Sequence, residues 1–301
     1  MSIIRRIRKL AFIDKDITNV KYDIQLMFRE NLLNYSVLNS KELGITSEKY
    51  CKEKIIVSLT TYGKRLHQVY LTIESLLQQS LKPNKIILWL DDSYQKKQLP
   101  QLIKRQIDRG LEIEYCKDIR SYKKLIPALQ KYPDDIIITA DDDLYYNINM
   151  IENLVSAYLQ EPGYIYFNRG HKMILSSDNT LNNYLQWEIE MTSTDVSPLN
   201  FPTGGAGVLY FPHCFNNEIF NETVFLDICP YADDVWFKAM SLYNGVQCKR
   251  AETLSVNGVE YFENPSVQDN GLWVINNFRK QNDVQIRAVF EKYDLYKLLL
   301  L

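Results

Sequence analysis

From Lys54 onward, short runs of β-branched and aliphatic residues alternate with stretches of helical periodicity, and this alternation restricts the fold more than any other feature of the chain. Ile55-Ile56-Val57-Ser58-Leu59, Lys85–Leu90, Leu111–Tyr115 and Ile136–Ala140 read as four strands. Between the first two, Leu66, Val69, Tyr70, Ile73, Leu76 and Leu77 recur at three- and four-residue spacing, which gives a helix one apolar face to lay on a sheet. Pro83 then interrupts the chain, and Leu99 to about Arg109 reads as a helix closed by Gly110. Strand and helix in alternation are the signature of βαβ units. The predicted class is α/β, a mostly parallel central sheet flanked by helices, with helical N- and C-terminal extensions.

Composition narrows the partners. The 301 residues carry 35 basic and 37 acidic side chains, a net charge of −2, so the chain as a whole offers no excess of positive charge to a nucleic-acid backbone. Five cysteines, odd in number and without a Cys-x-x-Cys pair, indicate neither a zinc site nor a disulfide framework. No run approaches the ~18 apolar residues of a membrane span, and no secretory signal precedes the first strand, so a cytoplasmic setting is expected. Near the start, Ile3, Ile4, Ile7, Leu10 and Ala11 share one helical face while Arg5, Arg6, Arg8 and Lys9 occupy the rest. Such a segment suits either the inner face of an anionic membrane or the protein's own body. Residues 1–53 are read as a helical extension or lid.

The most informative stretch follows the fourth strand: Ala140-Asp141-Asp142-Asp143-Leu144-Tyr145. In extended backbone, side chains alternate, which sends Asp141 and Asp143 to one side and Asp142 to the other. Two carboxylates that close repel unless a divalent cation sits between them, and an all-oxygen donor set suits Mg²⁺ or Mn²⁺. The alternative is an acidic loop capping the next helix, read over Asn147 to about Gln160. Polar sequence also follows the other strands, Asp91-Asp92-Ser93 after the second and Thr60-Thr61-Tyr62-Gly63-Lys64-Arg65 after the first. Open α/β sheets bind ligands beyond the carboxyl ends of their strands, so three decorated ends suggest one crevice.

These residues resemble a glycosyltransferase of the GT-A type, close in pattern to bacterial family 2-like enzymes of surface polysaccharide synthesis, over about residues 54–262. The resemblance implies a nucleotide-sugar donor, UDP- or GDP-linked, whose diphosphate meets a metal on Asp141 and Asp143, with Asp142 in the same donor-contacting turn. Asp91 and Asp92 then face the donor's base, and Thr60, Tyr62 and Arg65 form the nucleotide loop. The stretch Ser121–Leu129 also looks familial, and its Lys123 and Lys124, with Arg65, are candidates to stabilise the charge building on the leaving phosphate.

Farther on, Asn200–Tyr210 joins a glycine-rich turn, with Gly204 and Gly205, to a strand; its spacing is neither a Rossmann fingerprint nor a P-loop. In the resembled family this segment lines the donor-sugar and acceptor pocket. A helix beginning Ala232-Asp233-Asp234 and ending before Asn244-Gly245 resembles the family's acidic pair, which implies Asp234 as the catalytic base of an inverting transfer and Asp233 as an acceptor-orienting group. If configuration is retained, Asp234 positions substrate instead. The acceptor is expected to be a saccharide or a lipid-linked sugar. Trp187 and Trp236 are candidates to stack on sugar rings, His213 to complete a metal shell or acceptor site, and a tail over residues 263–301, with Trp273, Arg279 and Lys280, to close over the diphosphate. Two other classes remain: a non-catalytic carbohydrate- or nucleotide-binding protein, and a phosphohydrolase with Asp141 as nucleophile, which Leu144-Tyr145 disfavours because a small hydroxylated residue is expected there.

Overall fold

The structure, a computed structural model, describes residues 3–253, 260–270 and 281–300, with the backbone alone for residues 3–16 and 268–270. The chain divides into two compact units, at residues 40 and 41. The first is a single helix, α1 (Ile3–Asn39). The basic face expected over residues 1–11 lies outside the described side chains, as do Trp273, Arg279 and Lys280 of the tail. Among the described residues, no helix is long and apolar enough to cross a membrane.

The second unit runs through β1 (Ile55–Thr60), α2 (Tyr70–Leu77), β2 (Lys85–Asp91), α3 (Gln101–Ile107), β3 (Leu111–Cys116), α4 (Ile126–Lys131) and β4 (Ile136–Ala140). It continues with β5 (Leu144–Tyr146), α5 (Met150–Gln160), β6 (Ile165–Phe167), β7 (Gly170–Lys172), β8 (Asn200–Pro202) and β9 (Val208–Tyr210). Last come α6 (Glu222–Ile228), α7 (Asp233–Tyr243), β10 (Cys248–Arg250), β11 (Tyr261–Glu263) and α8 (Gln281–Lys292).

Among the described residues, seven strands form the central sheet in the order β10-β6-β9-β4-β1-β2-β3. Only β9 runs against its neighbours, β4 and β6; the other pairs are parallel. The mostly parallel α/β class read from the sequence is therefore the observed one. Strand alternation feeds both faces: Ile56, Ile87 and Ile137 join one apolar layer with α7 and α8, while Val57, Ile86 and Ile138 join another with α2 and α5. Burial on both faces explains why these strands read as continuous apolar runs rather than alternating ones.

Three details differ from the expectation. The first helical stretch opens as a 3₁₀ turn over Gly63–His67 before α2 begins. The helix after β2 is shorter at both ends, and Gly110 at φ +107° turns the chain into β3. The segment after the acidic turn is first a short strand, β5, so α5 starts only at Met150. That strand pairs antiparallel with β11, which fastens residues 261–263 beside the acidic turn. All five cysteines are free.

Candidate active site

Parallel pairing puts the carboxyl ends of β1, β2 and β4 side by side, so the polar stretches that follow them share one edge of the sheet. Beyond Ala140 the backbone leaves the extended form and turns, which changes where the three aspartates point. Asp142 goes inward: 7% exposed, it accepts from Thr61 Oγ1 at 2.5 Å and from Arg65 at 2.6 Å. Burial raises its pKa while Arg65 and Thr61 oppose the rise. Asp143 lies 3.4 Å from the same Arg65 nitrogen. Burial, then Asp141 and Asp142, push its carboxyl up to about 7, and Arg65 relieves only part of that load. Tyr146 braces the turn from below, its hydroxyl accepting from the Asp141 N–H at 2.7 Å and donating to the Gly205 carbonyl at 2.8 Å.

The centre of the site is Lys124. Its backbone carbonyl is fixed to β1 by the Ser58 hydroxyl at 2.6 Å, and Ser58 in turn accepts from Trp89 Nε1. That anchorage aims Nζ at three carboxylates: Asp141 at 2.7 Å, Asp233 at 2.9 Å and Asp234 at 4.0 Å. Burial works against the ammonium, yet the three acids carry its pKa well above the ordinary lysine value. Asp233 and Asp234 come from the first turn of α7, where a helix N-terminus favours negative charge. Asp234 Oδ2 accepts the Gly204 N–H at 3.1 Å. Burial drives its pKa up to about 7, with Asp233 and Asp141 adding to the rise and Lys124 opposing it.

Glycine at 204 has a steric reason. A Cβ there would stand 2.6 Å from Lys124 Nζ and 2.9 Å from Asp234 Oδ1, so only a hydrogen leaves room for both charges. At Gly205 a Cβ meets Leu144 at 3.4 Å and Asp141 Oδ2 at 3.7 Å, ordinary contacts, so its place matters less than its carbonyl.

The remaining expected residues divide. Tyr62 stands exposed with the Arg65 guanidinium 5.6 Å from its ring centre, and the Gly63 N–H donates to Tyr94, which ties the loop after β1 to the turn after β2. In that second turn Asp91 caps Ser93 and Asp92 bonds Gln95. Thr60 donates to the Trp89 carbonyl inside the sheet. Lys123 points away from the acids, buried against Asp118 at 2.5 Å, because adjacent residues of the 3₁₀ turn face different directions. Trp187 and Trp236 are core residues, 4% and 0% exposed, their rings packed against Tyr184 and Phe201 and against Phe225 and Tyr293. His213 pairs with Asp134, which precedes β4, so it sits at the opposite end of that strand from the acidic turn.

Thr61 and Arg169 were not singled out from the sequence. Arg169 follows β6, a three-residue strand too short to read, though Asn168-Arg169 stands as polar sequence beyond a strand's carboxyl end once β6 is recognised. It donates to Thr203 Oγ1 at 3.0 Å and to Glu190 at 2.9 Å.

The donor chemistry of the turn suits a hard divalent cation. Asp141 and Asp143 offer carboxylate oxygens on side chains 33% and 22% exposed, and Asp143 shares its nearby cation, Arg65, with Asp142. Among the described residues no three His, Cys, Asp or Glu side chains form a metal-holding group. Mg²⁺ and Mn²⁺ need no such cage, since one or two carboxylates with substrate phosphates suffice.

Comparison with solved structures finds remote likenesses. Residues 1–349 of TarS from S. aureus are 13% identical, covering 82% of this chain and 70% of that one, with a TM-score of 0.46. A mannosyltransferase from Pyrobaculum calidifontis, solved with GDP-Man and Mn²⁺, is 13% identical over 91% and 74%, with a TM-score of 0.47. A CMP-2-keto-3-deoxy-manno-octonic acid synthetase complexed with CTP is 11% identical over 76% and 100%, at 0.41. No curated protein matches the chain. The model of glycosyl transferase family 2 matches residues 56–209, just over half of the chain and the span from β1 through the acidic turn to β9. The chain belongs to glycosyl transferase family 2 and is a glycosyltransferase.

Proposed function

We propose that this transferase moves a sugar from a nucleotide-sugar donor to a hydroxyl of a saccharide or lipid-linked acceptor in surface glycan synthesis, with inversion and with Asp234 as base. The observation that carries the reading is Asp234 itself: a carboxylate held by the Gly204 N–H, about a third exposed, with its pKa lifted to about 7. A general base works best when its pKa lies near the working pH. On this reading Asp234 takes the acceptor hydroxyl's proton as that oxygen bonds the anomeric carbon. The bond from that carbon to the β-phosphate oxygen breaks, and its electron pair leaves with the nucleoside diphosphate.

Lys124 positions Asp234 and keeps the acidic pairs together, while Asp233 orients the acceptor. Asp141 and Asp143 would hold Mg²⁺ or Mn²⁺, which when bound supplies Lewis-acid stabilisation of the diphosphate's charge. Arg65, fixed on Asp142, shapes the adjoining nucleotide loop with Tyr62. Asp91, Asp92 and Thr60 belong to the donor side by their place at the strand ends.

Calorimetric titration with UDP and GDP, with and without Mn²⁺, tests the donor site; no metal-dependent binding of either would overturn it. Asp234→Asn should leave nucleotide binding intact and lower turnover by about 10²–10⁴-fold. In the parent enzyme, turnover should rise through about pH 7, because the base works only after losing its proton. A retained anomeric configuration in the product reassigns Asp234 to substrate positioning.

The N-terminal basic segment supports peripheral attachment to the inner face of a membrane, where lipid-linked acceptors reside. Sedimentation with liposomes rich in anionic lipid should recover the full chain but not one lacking residues 1–11. Equal recovery removes that part of the reading.

A further inference from the structure

The carboxyl edge of the sheet carries acids after β4, but after β6 it carries a cation. Arg169 stands two residues beyond β6, and the adjoining chain is built around it. Its carbonyl accepts the Thr203 N–H at 3.1 Å, and its guanidinium donates to Thr203 Oγ1 at 3.0 Å. The next residue, Gly204, is the one that holds Asp234. Consecutive residues between β8 and β9 therefore carry the two groups, Thr203 bonding the arginine and Gly204 bonding Asp234.

A second, independent feature faces Arg169. Glu190 is a non-glycine residue at φ +54°, in the left-handed region that an L-residue with a Cβ adopts only at a cost. Two contacts hold it there. Its N–H donates to His171 Nδ1 at 3.0 Å, and its carboxylate takes the Arg169 Nε–H at 2.9 Å. Burial, then Arg169, push the His171 pKa down to about 4, so the ring is neutral and free to accept that bond. The Glu190 side chain is 60% exposed and the Arg169 side chain 27%, so the carboxylate can turn into water and leave the guanidinium in need of another anion. A strained, solvent-facing carboxylate on a half-buried guanidinium is what a replaceable stand-in for a substrate anion looks like. Guanidinium recognises carboxylate and phosphate by the same paired N–H geometry.

We infer that Arg169 is the anion-recognition point of the acceptor site, for an acceptor sugar bearing a carboxylate or phosphate, and that Glu190 occupies it until the acceptor arrives. The acceptor-side placement rests on reading Asp234 as the base.

The test uses the full chain and three probes in saturation-transfer NMR titrations: methyl β-D-glucuronide, glucose 6-phosphate and the neutral methyl β-D-glucoside. The two anionic probes should bind at least about tenfold more tightly than the neutral one. Arg169→Gln should erase that preference without altering glucoside binding, and Arg169→Lys should keep part of it. Glu190→Gln should tighten both anionic probes severalfold and leave the glucoside unchanged. The glucuronide and the phosphate arms separate the two anion types. Equal binding of neutral and anionic probes overturns the inference, as does a preference that survives Arg169→Gln. Should Arg169→Gln fail to fold, Glu190→Gln decides: no gain for either anionic probe overturns the inference. Metal-dependent UDP or GDP binding is measured in parallel, so a probe pattern as expected without nucleotide binding would count against the donor reading and leave the anion site standing.

Discussion

Two buried charge clusters in this protein differ in balance. Glu74, fully buried on α2, takes both its oxygens to Arg109, at 2.8 and 2.7 Å; Arg109 itself is 5% exposed and spends its Nε on the Glu42 carbonyl. Gln78 and Gln106 bond the same carboxylate. One acid meets one base, and their hydrogen-bonding capacity is largely used within the fold. At the carboxyl edge, one ammonium, Lys124, faces three carboxylates within 4.0 Å, and two of these, Asp141 and Asp234, keep about a third of their side chains exposed. Burial of charge is therefore not what marks the site. An excess of acid left open at the sheet edge is, because it has something still to bind or a proton still to exchange.

The sharpest way to break this comparison is to remove the cation from each cluster. Arg109→Met strands a fully buried carboxylate and should cost about 3–5 kcal/mol of stability in denaturant unfolding. Lys124→Met should cost less, about 1–3 kcal/mol, since its acids reach solvent or take up protons. Its turnover, however, should fall on the order of a hundredfold, because Asp234 loses the charge that holds its pKa down. If the two variants lose stability equally and Lys124→Met retains turnover, the two clusters are alike and the distinction fails.

How much of this was legible from residue order depends on element length. β1, β2, β3 and β4 are five to seven residues long, room enough for an apolar run or, in β3, for the alternation of Leu111-Glu112-Ile113-Glu114-Tyr115, and each is placed from the sequence within a residue of its observed ends. β6, β8 and β10 have three residues each, too few for any period to register, so Arg169 at the end of β6 stayed hidden. The aspartates after β4 were visible as a cluster, but not their directions: alternation assumes extended backbone, and the chain turns at Asp142. Lys123 and Lys124 show the same limit more plainly. Neighbours of one residue type, they are distinguished only by tertiary partners, Asp118 for one and the site acids for the other. His213, Trp187 and Trp236 have the chemistry of site residues, but chemistry alone does not tell a core ring or a surface pair from a ligand.

A smaller and more discriminating perturbation leaves all the charges in place. Gly204→Ala inserts a methyl group 2.6 Å from Lys124 Nζ and 2.9 Å from Asp234 Oδ1. Both atoms end side chains, and the lysine is flexible, so they yield by rotation rather than by moving a strand. Fewer unfolded conformations for alanine than for glycine favour the fold by about 0.4–1 kcal/mol, which offsets the local crowding. The melting temperature should therefore shift by only a degree or two, whereas turnover should fall roughly tenfold as Lys124 and Asp234 are pushed from their places. The equivalent change in a closed cluster would show in stability and leave turnover alone. A Gly204→Ala enzyme that melts far below the parent would mean that the glycine serves packing. Unchanged turnover in a stable variant would mean that the distances from Lys124 to its acids are not what the chemistry depends on.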